Sequence, residues 1–180
     1  MQDNELVERI QCGDQSALNE IIRTYYNEIY HFLCRKLSDT NAAQDVTQTV
    51  FLKFVRNIHS YHERGKLKNY LFRLAANAGN DYFRNKPAAY VLLDACFDRQ
   101  SDDPLPEEAA EKREAAEAVK NALLELPIFQ RDVIILRFYH GLPFKDIARI
   151  MDCGVSSTKS RYRQGMEKLK ILLERAYDNE

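Results

Sequence analysis

The chain has 180 residues, room for one domain or two small ones, with 45% hydrophobic residues, 29% charged residues and a formal net charge of −1. A near-neutral total excludes a uniformly basic protein, so attraction to a polyanion has to come from local patches. No apolar run approaches the roughly 18 residues of a membrane span, no apolar signal segment follows Met1, and Cys12, Cys34, Cys96 and Cys153 form no CxxC pair; a reduced, soluble, cytoplasmic protein is expected.

Leu6, Val7 and Ile10 predict a short first helix stopped by Gly13, with Asp14 placed to cap the next. Ala17, Leu18, Ile21, Ile22, Tyr25, Ile29, Phe32, Leu33 and Leu37 then mark a long amphipathic helix. Ser38-Asp39-Thr40 breaks it and can cap a third helix with apolar positions Ala43, Val46, Val50, Phe51 and Phe54. There Asp45 and Gln48 share a face and Phe51 lies three residues further along that row. An acid, an amide and an aromatic suit a basic partner helix, although a surface acid beside a core phenylalanine is the plainer reading.

Asn57 to Gly65 reads as a polar and aromatic loop carrying Asn57, His59 and Tyr61. A fourth helix runs from about Lys66 to Lys86 and ends before Pro87, with Leu67, Tyr70, Leu71, Leu74, Ala78 and Tyr82 as its expected core stripe. Lys66, Arg73, Asn77, Asn80 and Arg84 are left for solvent or DNA, and bases outnumber acids five to one over Lys66 to Lys86. Cations neutralise phosphates, and an asparagine can read a base edge. Asp81, which DNA would repel, is expected to fix the neighbouring loop or a basic side chain.

Pro87 to Pro106 loses the helical period, and Asp94 to Glu117 holds nine acids against three bases. Residues 93–110 are therefore expected to be an acidic flexible linker between two domains, 1–92 and 111–180. Helix returns over Glu107 to Leu124, and Leu126-Pro127 opens another helix with proline in its first position. Val133, Ile134, Leu136, Arg137 and Phe138 carry that helix to Gly141.

A helix-turn-helix follows. Phe144, Ile147, Ala148 and Met151 share one helical face, and Asp152-Cys153-Gly154 makes the turn, with Gly154 expected to supply its backbone freedom. The second helix puts Val155, Thr158, Tyr162, Met166 and Leu169 inside, and Ser156, Lys159, Ser160, Arg163, Gln164 and Glu167 outside. From Val155 to Lys170 five bases oppose one acid. An apolar back and a basic, hydrogen-bonding front suit the DNA major groove. The expected fold is all-α: two small helical domains, the second a helix-turn-helix domain.

Three segments, in order, resemble the bacterial sigma-70 family, in particular RNA polymerase sigma factors of the extracytoplasmic-function type. DVTQTVFLKF, Asp45 to Phe54, is similar to the family's polymerase-docking helix; LKNYLFRLAANAGNDYFR, Leu67 to Arg84, to its −10 helix; and Leu126 to Lys170 to its −35-reading domain. The resemblance implies an alternative sigma factor without catalysis of its own. It implies contacts with core RNA polymerase, at the clamp coiled coil of the largest subunit and the flap of the second-largest, with promoter DNA, and with an anti-sigma factor.

Residue by residue, the resemblance implies polymerase binding by Asp45, Gln48 and Phe51. It implies −10 contacts by Asn57, His59, Tyr61, Lys66, Arg73, Asn77 and Arg84, the loop being where the family captures an unpaired base. At −35, Lys159, Ser160, Arg163 and Gln164 would lie nearest the bases, Ser156 and Ser157 would also bind DNA, and Arg161 would serve packing or a phosphate. The chain departs from the family at Asp152, where a glycine is usual, at Pro143, where a serine or threonine often caps, and at Val155-Ser156-Ser157-Thr158, where a polar inward Thr158 is expected to weaken packing. No tryptophan wedge exists.

The alternative is a helix-turn-helix regulator that oligomerises through its first domain. An enzyme reading has little to stand on, because no phosphate loop, nucleophile elbow or dinucleotide fingerprint is present. His59, His62 and Glu63, or His31 and Cys34, have spacings that could hold a metal, but neither set has a further ligand nearby, so no metal or cofactor is expected.

Overall fold

The computed structural model describes residues 2–62, 66–85 and 106–178, and every regular element among them is helical. In chain order these are α1 (Gln2–Gln11), α2 (Gln15–Leu37), α3 (Thr40–Asn57), α4 (Leu67–Asn85), α5 (Pro106–Glu125), α6 (Ile128–Ile134), α7 (Phe144–Ile150) and α8 (Val155–Asp178). A 3₁₀ turn at Ile58–Ser60 follows α3, and a π-helical segment, Ile135–Tyr139, continues α6. Helices α1 to α4 form one domain, and α5 to α8 pack on one another as the second.

The breaks have local causes. Asp14 accepts hydrogen bonds from the backbone N–H groups of Ser16 and Ala17, which caps α2, and Asp39 accepts one from Ala42 at 3.0 Å, which caps α3. Pro106 starts α5 inside the 93–110 segment expected to be linker; residues 93–105 lie outside the described residues. Pro127 caps α6 instead of opening it, its carbonyl accepting from Gln130 and Arg131.

The turn of the helix-turn-helix corrects one expectation. Asp152, not Gly154, takes the left-handed conformation, at φ 51°, and the Cys153 N–H closes the end of α7 on the Ala148 carbonyl at 2.9 Å. A short polar side chain tolerates that region better than most, which is why the missing glycine is survivable. Thr158 is fully buried on the inner face as expected, and its hydroxyl donates to the Gly154 carbonyl at 3.0 Å, which satisfies it there. Val155, expected inside, is exposed.

Helix α4 is buried on two sides. Leu67, Leu71 and Ala78 are buried as expected, and Tyr70, Leu74 and Tyr82 pack half-buried against the core. Phe72, Ala75, Ala76 and Gly79 are buried as well, because α2 and α7 also lie on this helix. Leu136, Leu142, Ile147 and Ile150 of the second domain share one apolar core with α2 and α4 of the first.

That junction contains a buried charge network. Lys36 and Asp132 are both 0% exposed, and Lys36 Nζ lies 2.5 Å from Asp132 Oδ2 and donates to Asn80 Oδ1 at 2.8 Å. Arg131 donates to the Lys36 carbonyl at 2.8 Å and to the Leu124 and Leu126 carbonyls, tying α2 to the loop before α6. Burial pushes Lys36 down and Asp132 up, and their mutual attraction opposes both shifts. Removing one partner of such a pair typically costs about 3–5 kcal/mol, although the intact pair contributes little net stability.

Candidate nucleic-acid interface

The loop expected to hold an unpaired base is built by three elements. Asn57 ends α3 and is exposed, as is His59 in the 3₁₀ turn. Tyr61 is half-buried, its ring stacked on Tyr70 of α4 with centroids 4.4 Å apart. Gln11 of α1 donates from Nε2 to the carbonyls of Ile58, at 2.7 Å, and Tyr61, at 2.9 Å, and so pins the loop. A cleft of about 300 Å³ opens there, lined by Val7, Gln11, His59, Tyr61 and His62 among others. Gln11 escapes sequence reasoning, since a lone glutamine at a helix end carries no signal of a partner some fifty residues away.

On α4 the residues expected to meet DNA divide into three sets. Asn77 is exposed one turn beyond Arg73. Arg84 pairs with Asp81 at 2.7 Å, and Lys53 approaches the same carboxylate at 3.6 Å, so Asp81 holds basic side chains as expected. Lys66 and Arg73 point to the other domain, where Lys66 Nζ meets Asp146 Oδ1 at 3.2 Å and Arg73 meets Asp152 Oδ2 at 3.8 Å. Asn80, grouped with these by sequence, is instead taken by Lys36.

Helix α8 presents Ser156, Ser157, Lys159, Arg163 and Gln164 to solvent, with Ser160 and Arg161 half-buried beside them. Gln164 donates to Ser160 Oγ at 3.3 Å and accepts from Gln130 at 3.4 Å, while the Arg161 guanidinium stands 5.0 Å over the Phe129 ring. Helix α6 thereby positions part of the reading face. The two helices come close because Gly165 has no side chain; a Cβ there would meet Ile134 Cδ1 at 2.8 Å.

The polymerase-docking row needs one correction. Phe51 is only 6% exposed and stacks on Tyr26 at 6.0 Å, so it belongs to the core and cannot join a surface patch. Its row on α3 is that of buried Thr47, Phe54 and Ile58. Asp45 and Gln48 are exposed, and the apolar residue beside them is Leu52, 58% exposed, followed by Val55. Leu52 follows Gln48 by four residues, the other neighbour spacing of a helix face.

No group of three or more metal-ligating side chains occurs among the described residues, and no described helix is long and apolar enough to cross a membrane. Glu63 and Cys96 lie outside the described residues.

Two family models match the chain: sigma-70 region 2 over residues 21–87 and sigma-70 region 4 over residues 116–169. The ECF RNA polymerase sigma factor SigW of Bacillus subtilis is 29% identical, covering 91% of this chain and 92% of its own. The ECF RNA polymerase sigma-E factor of Haemophilus influenzae is 31% identical, covering 93% of each. Among solved structures, CnrH in complex with the cytosolic domain of CnrY superposes with a TM-score of 0.75 at 19% identity, over 97% of this chain and 99% of that one. The sigma factor RpoE of Bartonella quintana, in complex with the anti-sigma factor NepR, gives 0.71 at 21% identity, over 87% and 96%.

Proposed function

Because the chain belongs to the sigma-70 family, among the extracytoplasmic-function type, it is an alternative sigma factor that directs promoter recognition, and we propose the following division of that task among its residues. Residues 1–92 act as the domain that docks on core polymerase and opens the −10 element, and residues 111–180 as the domain that reads −35. The docking patch is Asp45 and Gln48 with exposed Leu52 and Val55, an acid and an amide beside an apolar ridge for a basic, amphipathic coiled coil.

At −10, Lys66, Arg73 and Arg84 neutralise phosphates, Asn77 reads a base edge, and the cleft beside His59 and Tyr61 receives an unpaired base close to Asn57. At −35, α8 enters the major groove with Lys159, Arg163 and Gln164 toward the bases, and Ser156, Ser157 and Arg161 toward the backbone. The exposed basic front of α8 on a helix-turn-helix carries this reading. Action with polymerase places the protein in the cytoplasm, without chemistry of its own, and the complex of RpoE with the anti-sigma factor NepR supports a partner of that kind here too.

Run-off transcription tests the whole. Core polymerase plus this protein should start transcripts at promoters that core alone ignores. Failure to bind core, together with a footprint on DNA in the absence of polymerase, would replace this reading with an ordinary regulator.

A further inference from the structure

One wall of the cleft beside His59 and Tyr61 comes from α1, a helix with no place in the −10 reading so far. Its half-buried residue there is Gln11. Both hydrogens of Nε2 are taken, by the Ile58 carbonyl at 2.7 Å and the Tyr61 carbonyl at 2.9 Å. A carbonyl can only accept, so these two partners fix which end of the amide is the nitrogen. Oε1 is the end left for a ligand, and Gln11 lines the cleft.

Other polar groups around the cleft share this bias. His62 Nδ1 lies 3.0 Å from the Ser60 carbonyl, so it carries the ring proton, and Nε2 of the neutral imidazole is an acceptor. Glu8, exposed one turn before Gln11, adds a carboxylate, which has no proton to give. Val7 and the Tyr61 ring, stacked on Tyr70 at 4.4 Å, supply apolar surface. Acceptors around an apolar surface suit a flat ring that donates hydrogen bonds from its edge.

A base swung out of its strand enters with the sugar at the mouth, so it offers the interior the atoms farthest from the glycosidic bond. There cytosine and adenine carry an amine, whereas thymine and guanine carry an oxygen. An oxygen facing Oε1 finds no proton; an amine does. We infer that Gln11 both positions the −10 loop and selects the captured base, so that the cleft takes an amino base, cytosine or adenine, over the keto bases. The inference rests on the assignment of this cleft to an unpaired base. Gln11 is only half-buried, so the selection amounts to about three- to tenfold, the worth of one hydrogen bond, and not the much larger factor of an enclosed site.

The test uses holoenzyme assembled from full-length protein and core polymerase. The probe is a short fluorescein-labelled single strand in which one central residue carries a base and the others are abasic, read by anisotropy. Cytosine should bind about three- to tenfold more tightly than 2-pyrimidinone, which lacks only the amine, and adenine should exceed purine alike. Thymine and guanine should bind no better than the amine-free rings.

Gln11→Lys keeps donors for both loop carbonyls but has no acceptor, and its added cation attracts every strand. It should bind all four bases alike, with no loss of overall affinity. Gln11→Glu keeps an acceptor and loses the donors. It should weaken binding of every base and speed amide exchange over residues 58–62, with circular dichroism unchanged. An amine preference that survives Gln11→Lys, or a wild-type preference for thymine or guanine, would overturn the selection. Unchanged binding and exchange in Gln11→Glu would overturn the positioning. Equal binding of every probe, including a wholly abasic strand, unaltered by Tyr61→Ala, would instead remove the base from this cleft and the selection with it.

Discussion

Gly79→Ala sets two well-measured effects against each other. In an isolated helix, alanine in place of an interior glycine stabilises by about 1 kcal/mol. In the folded protein the new Cβ would lie 2.5 Å from Lys36 Cε and 2.7 Å from Cδ, far inside the ~3.5–4.0 Å optimum for carbon pairs. A lysine end on a surface would swing away at little cost. This one is fully buried, with its ammonium held by Asp132 and Asn80 and Leu33 packed on the same side of Gly79. Moving the stem withdraws Nζ and leaves an unpaired carboxylate in the core, a loss of about 3–5 kcal/mol. The net effect is a destabilisation of about 2–4 kcal/mol. Gly79→Ala should therefore lower stability to urea by that amount and speed amide exchange in α6, which carries Asp132. A variant as compact as wild type and about 1 kcal/mol more stable to urea would refute the packing argument.

Three further outcomes are expected. Leu52→Asp should abolish co-purification with core polymerase, as should Asp45→Ala with Gln48→Ala, whereas Phe51→Ala should cost about 3–5 kcal/mol of stability because its ring is core; loss of polymerase by Phe51→Ala in a fully stable fold would restore that residue to the docking patch. Arg163→Ala should cost about 1–3 kcal/mol of promoter affinity and change −35 preference, and unchanged discrimination among −35 variants would exclude it from base reading. Burial between the Phe32 and Phe72 rings, aided by Arg35, Lys68 and His31, lowers the His140 pKa to about 4 from its ordinary 6.5. A base with a depressed folded pKa contributes fully above pH 6.5 and loses stability as pH falls toward 4. Acidification from pH 7.5 to 5 should then lower stability by at most about 2 kcal/mol, and His140→Phe should remove most of that loss; an unchanged acid response in His140→Phe would assign the effect elsewhere.

Features that depend on a residue's near neighbours were legible in the sequence. The three- and four-residue spacing of apolar side chains placed the helices, and Asp14 and Asp39 marked their starts because a cap bonds only two or three residues away. The outward row of α8 followed from the same period, and the pairing of Asp81 with basic side chains from its charge, which DNA would repel. Errors arose where one position had two physical options. Phe51 sits three residues after Gln48, and Leu52 four; only packing on Tyr26 decides which of them turns inward. Asp152 and Gly154 both stand in the turn, and the closing bond from Cys153 to Ala148 selects Asp152.

By itself, then, the sequence determined an all-helical chain, a helix-turn-helix with a basic outer face, and three ordered segments that mark its family. These depend on helical period, local capping and residue chemistry, all short-range. Only the tertiary structure decided that Lys36 is buried, that Gly79 exists to let it pass, and that Lys66 and Arg73 face acids of the other domain. Those partners lie between 43 and 96 residues apart in the chain. No periodicity records them, because a side chain's desolvation and pairing depend on what folds over it and not on what flanks it.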